Sequence, residues 1–409
     1  MSQQTVYAAL GVRGYEHRSI RLGEGSVVVR LRVKDENVCC PGCGSREVAR
    51  RGCEVREFRA PPIGNRAVSL LIDVPRVQCH ACGTVRQVQL AGMAERHRCT
   101  RSFVRYVLEL RQRMTIRDLA IQLGVSEWLV RTIEKEYLLK HFAKPRLKET
   151  TQIAIDELSI GGGHRYLTIV MDLDSGAILH VGEGKGAKAL DPFWRRLKSS
   201  RAKIEAVAMD MSAAPERNTV IFAVTEHLPE AVIVFDKFHV VKLMNHKLSD
   251  LRRELYREAS DRLDKDVLKG TRWLLMKNPD HLDDERDEPA RLAEALELNQ
   301  PLATAYYLKE DLRQLWSQKS KAAARRFLDR WIGRAQSSGI RILQQLAKTL
   351  AAHRRGLLAW YEHPISTGRL EGINHKVRTL QRNAYGFRDR TDFRLKLHAL
   401  HTTRYALIG

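Results

Sequence analysis

The chain has 409 residues, 44% of them hydrophobic and 29% charged, the make-up of a globular protein with room for about two to four domains. Seventy Lys and Arg face 48 Asp and Glu, leaving a formal charge of +22. That surplus argues for a polyanionic partner, nucleic acid first, since each cation that meets a phosphate releases condensed counterions. No apolar run approaches the ~18 residues of a membrane-spanning helix. The start, MSQQTVYAALGVRG, lacks the basic-then-apolar pattern of a leader peptide. These features predict a cytoplasmic protein with reduced thiols and no membrane partner. Residues 1–150 hold 27 basic and 15 acidic side chains and the last 46 hold nine and three, so the excess lies at both ends.

Residues 1–95 read as a small β domain, with short β-branched runs such as SVVVRLRV and AVSLLIDVP between glycines and prolines. Within it, Cys40-Pro-Gly-Cys43-Gly and Cys79-His-Ala-Cys82-Gly repeat one local design. Two thiolates separated by two residues bind one tetrahedral ion from a tight turn, and the glycine that follows relieves the backbone. The two pairs predict one structural Zn²⁺ held by Cys40, Cys43, Cys79 and Cys82, with no open position for catalysis. Cys39 could replace Cys40, although only Cys40 reproduces the spacing of the second pair. Cys53, Cys99 and His80 are read as packing or surface residues.

Residues 96–148 switch to helical periodicity, and TIRDLAIQLGVSEWLVRTIE (115–134) has the steric pattern of a helix-turn-helix. Ile116, Leu119 and Ala120 form one face, Gly124 marks the turn and Ser126 caps the second helix, which Val130 and Ile133 pack onto the first. Arg131 and Lys135 are expected on the exposed side of that helix, available to base edges or phosphates.

From Gln152 to Phe238 apolar strands alternate with helical stretches, an α/β layer. Asp156 closes the run QIAI and Asp210 closes EAVAM; a buried strand ending in Asp aims its carboxylate into the crevice where ligands of α/β proteins gather. Two carboxylates there repel unless a cation lies between them, so the arrangement calls for Mg²⁺ or Mn²⁺. Glu157 alternates to the opposite strand face, and Asp172, Asp174 and Asp191 read as caps or solvated ends. Residues 246–355 are almost wholly helical. In the basic helical end, GRLEGINHKVRTLQR supplies a remote acid, Glu371, with Asn374, His375 and Arg378 following at helical spacings.

In that order, AIDE, AMDMS, FDKFHV, TRWLLMKNP and GRLEGINHKVR resemble the transposases of the ISL-three insertion-sequence family, and the two cysteine knuckles followed by a helix-turn-helix match that family's amino-terminal part. The resemblance covers nearly the whole chain. It implies a multidomain α/β protein: a zinc-ribbon-like β domain (1–95), a helix-turn-helix (96–148), an RNase H-like catalytic core (149–245 and 356–409, the latter carrying the catalytic Glu) and an all-helical insertion (246–355). It implies a DDE triad of Asp156, Asp210 and Glu371 holding two Mg²⁺ or Mn²⁺ ions about 3.5–4 Å apart around a scissile phosphate. Asp236, His239 and Asn374 stand as auxiliary candidates, and Arg378 with Arg131 and Lys135 as DNA contacts. Where the family reads Ser-Asn-Gly before the Glu, this chain reads Ser366-Thr367-Gly368.

The activity so implied is metal-dependent cleavage of double-stranded DNA at the element's terminal inverted repeats, then strand transfer into target DNA, by a homodimer or higher oligomer. Two rivals predict different features. A zinc-ribbon and helix-turn-helix regulator with an inactive core would lack one of the three carboxylates, and all three are present. An RNase H-like nuclease or resolvase would cut without joining.

Overall fold

The computed structural model describes residues 3–161, 165–211, 219–259, 268–269, 271–384, 386–387 and 389–402, with side chains from Tyr7 onward. Ser212, the last residue of AMDMS, and residues 403–409 lie outside them. The chain forms two compact units. One combines the residues up to Ala143 with Gln381–Lys396; the other combines Lys144–Leu380 with Leu397–His401.

In the first unit, β1 (Tyr15–Gly23), β2 (Ser26–Val33), β3 (Val48–Ile63) and β4 (Arg66–Cys79) form a sheet in the order β1-β2-β4-β3, and β5 (Val85–Gln87) also pairs with β4. Strict alternation drives it: every second residue from Val27 to Val33 and from Val68 to Val74 is buried. Fully burying each such aliphatic side chain is worth about 1.5–3 kcal/mol, so the pattern also fixes strand register. The β3–β4 hairpin is long because it has a second task. Its far end pairs Val48 with Cys79, which brings the two cysteine turns side by side.

A short helix, α1 (Gln3–Leu10), precedes the sheet, and three helices follow it: α2 (Arg101–Arg111), α3 (Ile116–Leu123) and α4 (Glu127–Phe142); α5 (Asp191–Ser200) and α6 (Val220–His227) belong to the second unit. Thr115 caps α3 by accepting from the N–H of Asp118, and Ser126 caps α4 by accepting from that of Leu129. Gly124 turns the chain between them at φ 61°, a left-handed conformation that any side chain would strain. Phe103, Val107, Leu119, Leu123, Val130 and Ile133 make the helical core.

The second unit is built on β6 (Gln152–Gly161), β7 (Arg165–Asp172), β8 (Ile178–Glu183), β9 (Ala206–Met209) and β10 (Val232–Phe235), in the order β10-β9-β6-β7-β8. The first three strands in sequence run antiparallel; β9 and β10 then join parallel to β6. Ile153, Val207 and Phe235 belong to one apolar core that continues into Leu302, Leu328 and Trp331 of the helical stretch. That stretch comprises α7 (Lys237–Glu258), α8 (Glu288–Leu298), α9 (Gln300–Arg313), α10 (Lys321–Ser337), α11 (Arg341–Ala352) and α12 (Arg354–Leu358). Lys309, 1% exposed, donates to the carbonyls of Leu275 and Lys277 and so ties TRWLLMK to α9. Helix α12 comes against β10 at Gly356, where a Cβ would stand 2.5 Å from the Phe235 ring. Helix α7 runs unbroken through residue 245, so the expected boundary there falls inside one helix.

The carboxy-terminal residues contribute to both compact units. Helix α13 (Gly368–Asn383) lies in the second unit up to Leu380, whereas residues up to Lys396, including most of α14 (Arg390–Ala399), group with the amino-terminal unit. Among the described residues no helix is long and apolar enough to cross a membrane.

Candidate active site and nucleic-acid interface

The register of the second sheet arranges its acids. Ile155 pairs with Met209, and Met209 with Phe235, so Asp156, Asp210 and Asp236 follow in one row across three adjacent parallel strands. Asp156 was expected at a strand end, but β6 continues to Gly161 because β7 pairs with it beyond that point. What ends at Asp156 is the parallel ladder with β9. The loss of that neighbour opens the crevice into which an Asp156 carboxylate can project.

The three acids have different surroundings. Asp156 accepts from its neighbour's N–H (Glu157, 2.7 Å) and from Asn374 Nδ2 (2.7 Å). Burial, and then the charge of Asp210, push its pKa up. Such a carboxylate favours a cation beside it. Asp210 is partly exposed, and His239 Nδ1 lies 2.6 Å from its Oδ1. Burial opposes the charged imidazole, but the hydrogen bond and charge of Asp210, followed by the charges of Asp236 and Asp156, hold the His239 pKa above its usual value.

Asp236 differs most. It is 1% exposed, and both oxygens accept backbone N–H groups: Oδ1 from Phe238, which caps α7, and Oδ2 from Thr367, each at 2.7 Å. A carboxylate so engaged is a clamp between the start of α7 and the turn that leads into α13. Thr367 Oγ1 also lies 3.5 Å from His239 Nδ1, so the residue that stands in place of Asn takes part in the same network.

Helix α13 carries the remote residues. Its buried face is Leu370, Ile373, Asn374 and Val377, and Asn374 reaches Asp156 from there. Glu371 and Arg378 are exposed, at three residues before and four after Asn374, on one edge of the helix. The three carboxylates of Asp156, Asp210 and Glu371 do not all come within 4.8 Å of one another; among the described residues only the cysteines form a metal-sized cluster. Glu157, as alternation requires, faces away and accepts from the Gly186 N–H at 2.7 Å.

That cluster is Cys40, Cys43, Cys79 and Cys82, with Cys40 Sγ 3.6 Å from Cys82 Sγ and Cys43 Sγ 3.5 Å from Cys79 Sγ. A tetrahedral zinc with bonds of about 2.3 Å places sulfurs about 3.8 Å apart, so the four fit the ion. The two turns are copies: Gly44 N–H donates to the Cys40 carbonyl and Gly83 N–H to that of Cys79, at 2.9 and 3.0 Å, with both glycines at positive φ. The backbone N–H groups of Cys43 and Gly42 bring the Cys40 thiol down to about 6. Cys39 and Cys53 lie outside the cluster, and Cys99 is buried, its pKa pushed up to about 11 by that burial.

On α4, Arg131 is exposed as expected, but Lys135 is not free. It is half-buried, with Nζ 2.6 Å from Asp389. The neighbouring Glu134, 4% exposed, accepts from Arg111 Nε at 3.0 Å and pairs with Lys396 Nζ, also at 3.0 Å. Lys396 in turn lies 3.6 Å from Asp392. The middle of α4, at Glu134 and Lys135, is therefore met by residues 389–396. No local pattern around Glu134 announces these partners.

Comparison with known proteins agrees along the chain. Residues 153–397 match the DDE-type ISL3 family described as transposase; residues 36–82 match the zinc finger of the IS204/IS1001/IS1096/IS1165 transposases, and residues 88–138 the helix-turn-helix domain of transposase family ISL3. The chain is 33% identical over 363 residues to the transposase for insertion sequence element IS1001 of Bordetella parapertussis, covering 88% of each chain. It is 31% identical over 400 residues to the transposase for IS1557 of Mycobacterium tuberculosis, covering 90% of this chain and 86% of that one.

Proposed function

The chain belongs to the ISL3 family of insertion-sequence transposases, and on that footing we propose that it cleaves and joins DNA with Asp156, Asp210 and Glu371 as its metal-binding acids. The observation that carries the assignment is the register row, which sets Asp156 and Asp210 side by side where the parallel ladder ends. An antiparallel trio followed by two parallel strands supports an RNase H-like reading of the sheet, and the helices between β10 and α13 its reading as interrupted by an insertion. The remaining assignments follow: a core of 149–245 and 356–409, an insertion of 246–355, and an oligomer of at least two chains to hold two DNA ends.

Asp156 and Asp210 fit a divalent cation, Mg²⁺ or Mn²⁺, because a buried acid beside a second acid is relieved by one. Glu371 is the third donor, from the helix edge that also presents Asn374. Bound ions, two in this proposal, supply Lewis-acid stabilisation of charge on the phosphate and lower the pKa of a water. The protein's own residues do the positioning. Asn374 and the Glu157 N–H orient the Asp156 carboxylate, His239 orients Asp210, and the Asp236 clamp fixes the turn that starts α13. Arg378, on the same edge as Glu371, is a contact for DNA phosphate. Water attacks phosphorus in line and a 3′-oxygen leaves with a proton. The freed 3′-hydroxyl then attacks a target phosphodiester and expels its 3′-oxygen.

Purified protein incubated with the element's ends and Mg²⁺ should give both nicked and joined products; nicks that never become joints would favour a nuclease. Glu371→Gln should lose both products by orders of magnitude while still binding the ends, and joining by that variant would remove Glu371 from the triad. Glu362, the preceding acid in the chain, is paired with Lys321 at 2.7 Å and is the control that should stay active as Gln. Asp236→Asn should lower cleavage without abolishing it, since an amide oxygen can still accept one N–H but the second is left facing a donor. Full inactivity together with loss of metal binding would make Asp236 a ligand.

DNA binding through the zinc ribbon and helix-turn-helix gives a separate expectation. Arg131→Ala should weaken end binding and reduce the slope of log affinity against log salt by about one. Lys135→Ala should leave that slope unchanged, because Asp389 already holds the charge.

A further inference from the structure

We propose that Trp128 reads thymine in the element's ends, as the apolar base contact of helix α4. The inference rests on the reading of the helix-turn-helix as the end-binding module and adds to it a specificity residue. Lys135 is paired to Asp389 and Glu134 is buried between Arg111 and Lys396, so the middle of α4 is occupied by other parts of the chain. The helix's exposed residues are Glu127, Trp128 and Arg131 in the first turn and a half and Leu139, Lys140 and His141 in the last, and it is the amino-terminal turns that a recognition helix brings to base edges. Trp128 is 69% exposed there. An indole left in water forgoes the transfer energy that an aromatic side chain usually gains by burial, which marks the face as one that something covers.

The charge around it selects DNA as that occupant. Residues 96–148 hold 13 basic and five acidic side chains, and Arg113 and Arg117 are exposed at the start of the neighbouring helix, where a helix-turn-helix meets the phosphate backbone. The other residues of the exposed turns suit different roles. Glu127 is repelled by phosphate, and the Thr132 hydroxyl is already donated to the Trp128 carbonyl at 2.7 Å. Arg131, one turn on, supplies a cation. Trp128 is left as the apolar surface, and the apolar group that the major groove presents is the C5-methyl of thymine.

Uracil differs from thymine by that methyl alone. End affinity would be measured for the full-length zinc-loaded protein and for Trp128→Ala and Trp128→Phe, on the terminal duplex and on duplexes with each thymine replaced singly by uracil. The parent should lose about fourfold at one or two positions, the worth of one buried methyl. Trp128→Ala should bind the unmodified end about tenfold more weakly, bind unrelated duplex as before, and lose nothing more at those positions. Trp128→Phe should recover part of the loss. Unchanged zinc content and melting temperature check that the variants are folded, as expected for an exposed side chain.

Equal losses at thymine and uracil for Trp128→Ala and the parent would overturn the proposal, as would normal end binding by the variant. If normal end binding came with altered sedimentation, Trp128 would be a protein contact. A parent protein without preference for the ends would overturn the end-binding reading itself, a result distinct from failure at Trp128.

Discussion

Asp210→Asn and Asp156→Asn proteins, given element ends and Mg²⁺, should yield nicked and joined products at least about a thousandfold more slowly than the parent, because one metal site serves both steps. The substitution removes ligand charge but little volume. The sign of its effect on stability follows from the Asp156 pKa, which burial and Asp210 raise. A carboxyl with a raised pKa destabilises the fold as pH climbs through the interval from its unfolded to its folded value, and that cost persists above it. At neutral pH the metal-free Asp156→Asn protein should therefore melt no lower than the parent, apart from any effect of the hydrogen bond that its amide must rearrange. Adding Mg²⁺ should raise the melting temperature of the parent and not of the variants. A variant that retains a Mg²⁺-dependent shift and still joins DNA would overturn the assignment.

Cys43→Ser, or a strong chelator, should release about one zinc per chain and unfold the β3–β4 end of the amino-terminal unit. Structural zinc in small domains carries an apparent ~10–16 kcal/mol, which few local contacts replace. Here the ion would hold two turns that otherwise meet through little more than the pairing of Val48 with Cys79 and the His80 N–H donated to the Glu47 carbonyl. Metal analysis and circular dichroism read the outcome, and end binding should fall with the fold. Cys39→Ser and Cys53→Ser are the controls. Both thiols lie outside the cluster, so zinc content should not change. A fully folded Cys43→Ser protein without zinc would show that the cluster is only packed sulfur.

What the sequence made legible was what neighbours along the chain decide. The knuckle spacing, the Gly124 turn and the Ser126 cap are each set within about five residues, and the structure has all of them. The α/β layer could likewise be read from its apolar runs. What remained hidden depends on contacts across long separations. Asp156 looked like a strand end because its apolar run stops there, but β6 continues for as long as β7 pairs with it. Asp236 looked like one more acid in the row until the Thr367 N–H arrived from 131 residues away to occupy its second oxygen. Lys135 has a helical position suited to DNA, and nothing nearby in the sequence announces its pairing with Asp389, 254 residues on.

The meeting of α4 with residues 389–396 bears on how such elements exchange parts. Insertion sequences that differ in their terminal repeats could acquire new recognition most simply by swapping the amino-terminal coding segment at the linker near residue 143. In this chain that graft would separate Glu134 from Lys396, leaving the buried carboxylate with Arg111 alone and the buried Lys396 without it. A hybrid that inherits both ends of the gene from one parent, or changes residues 389–396 together with the helix they meet, keeps that network whole. Recognition and catalysis are interleaved along the reading frame, so selection acts on the two ends of the gene as a linked pair.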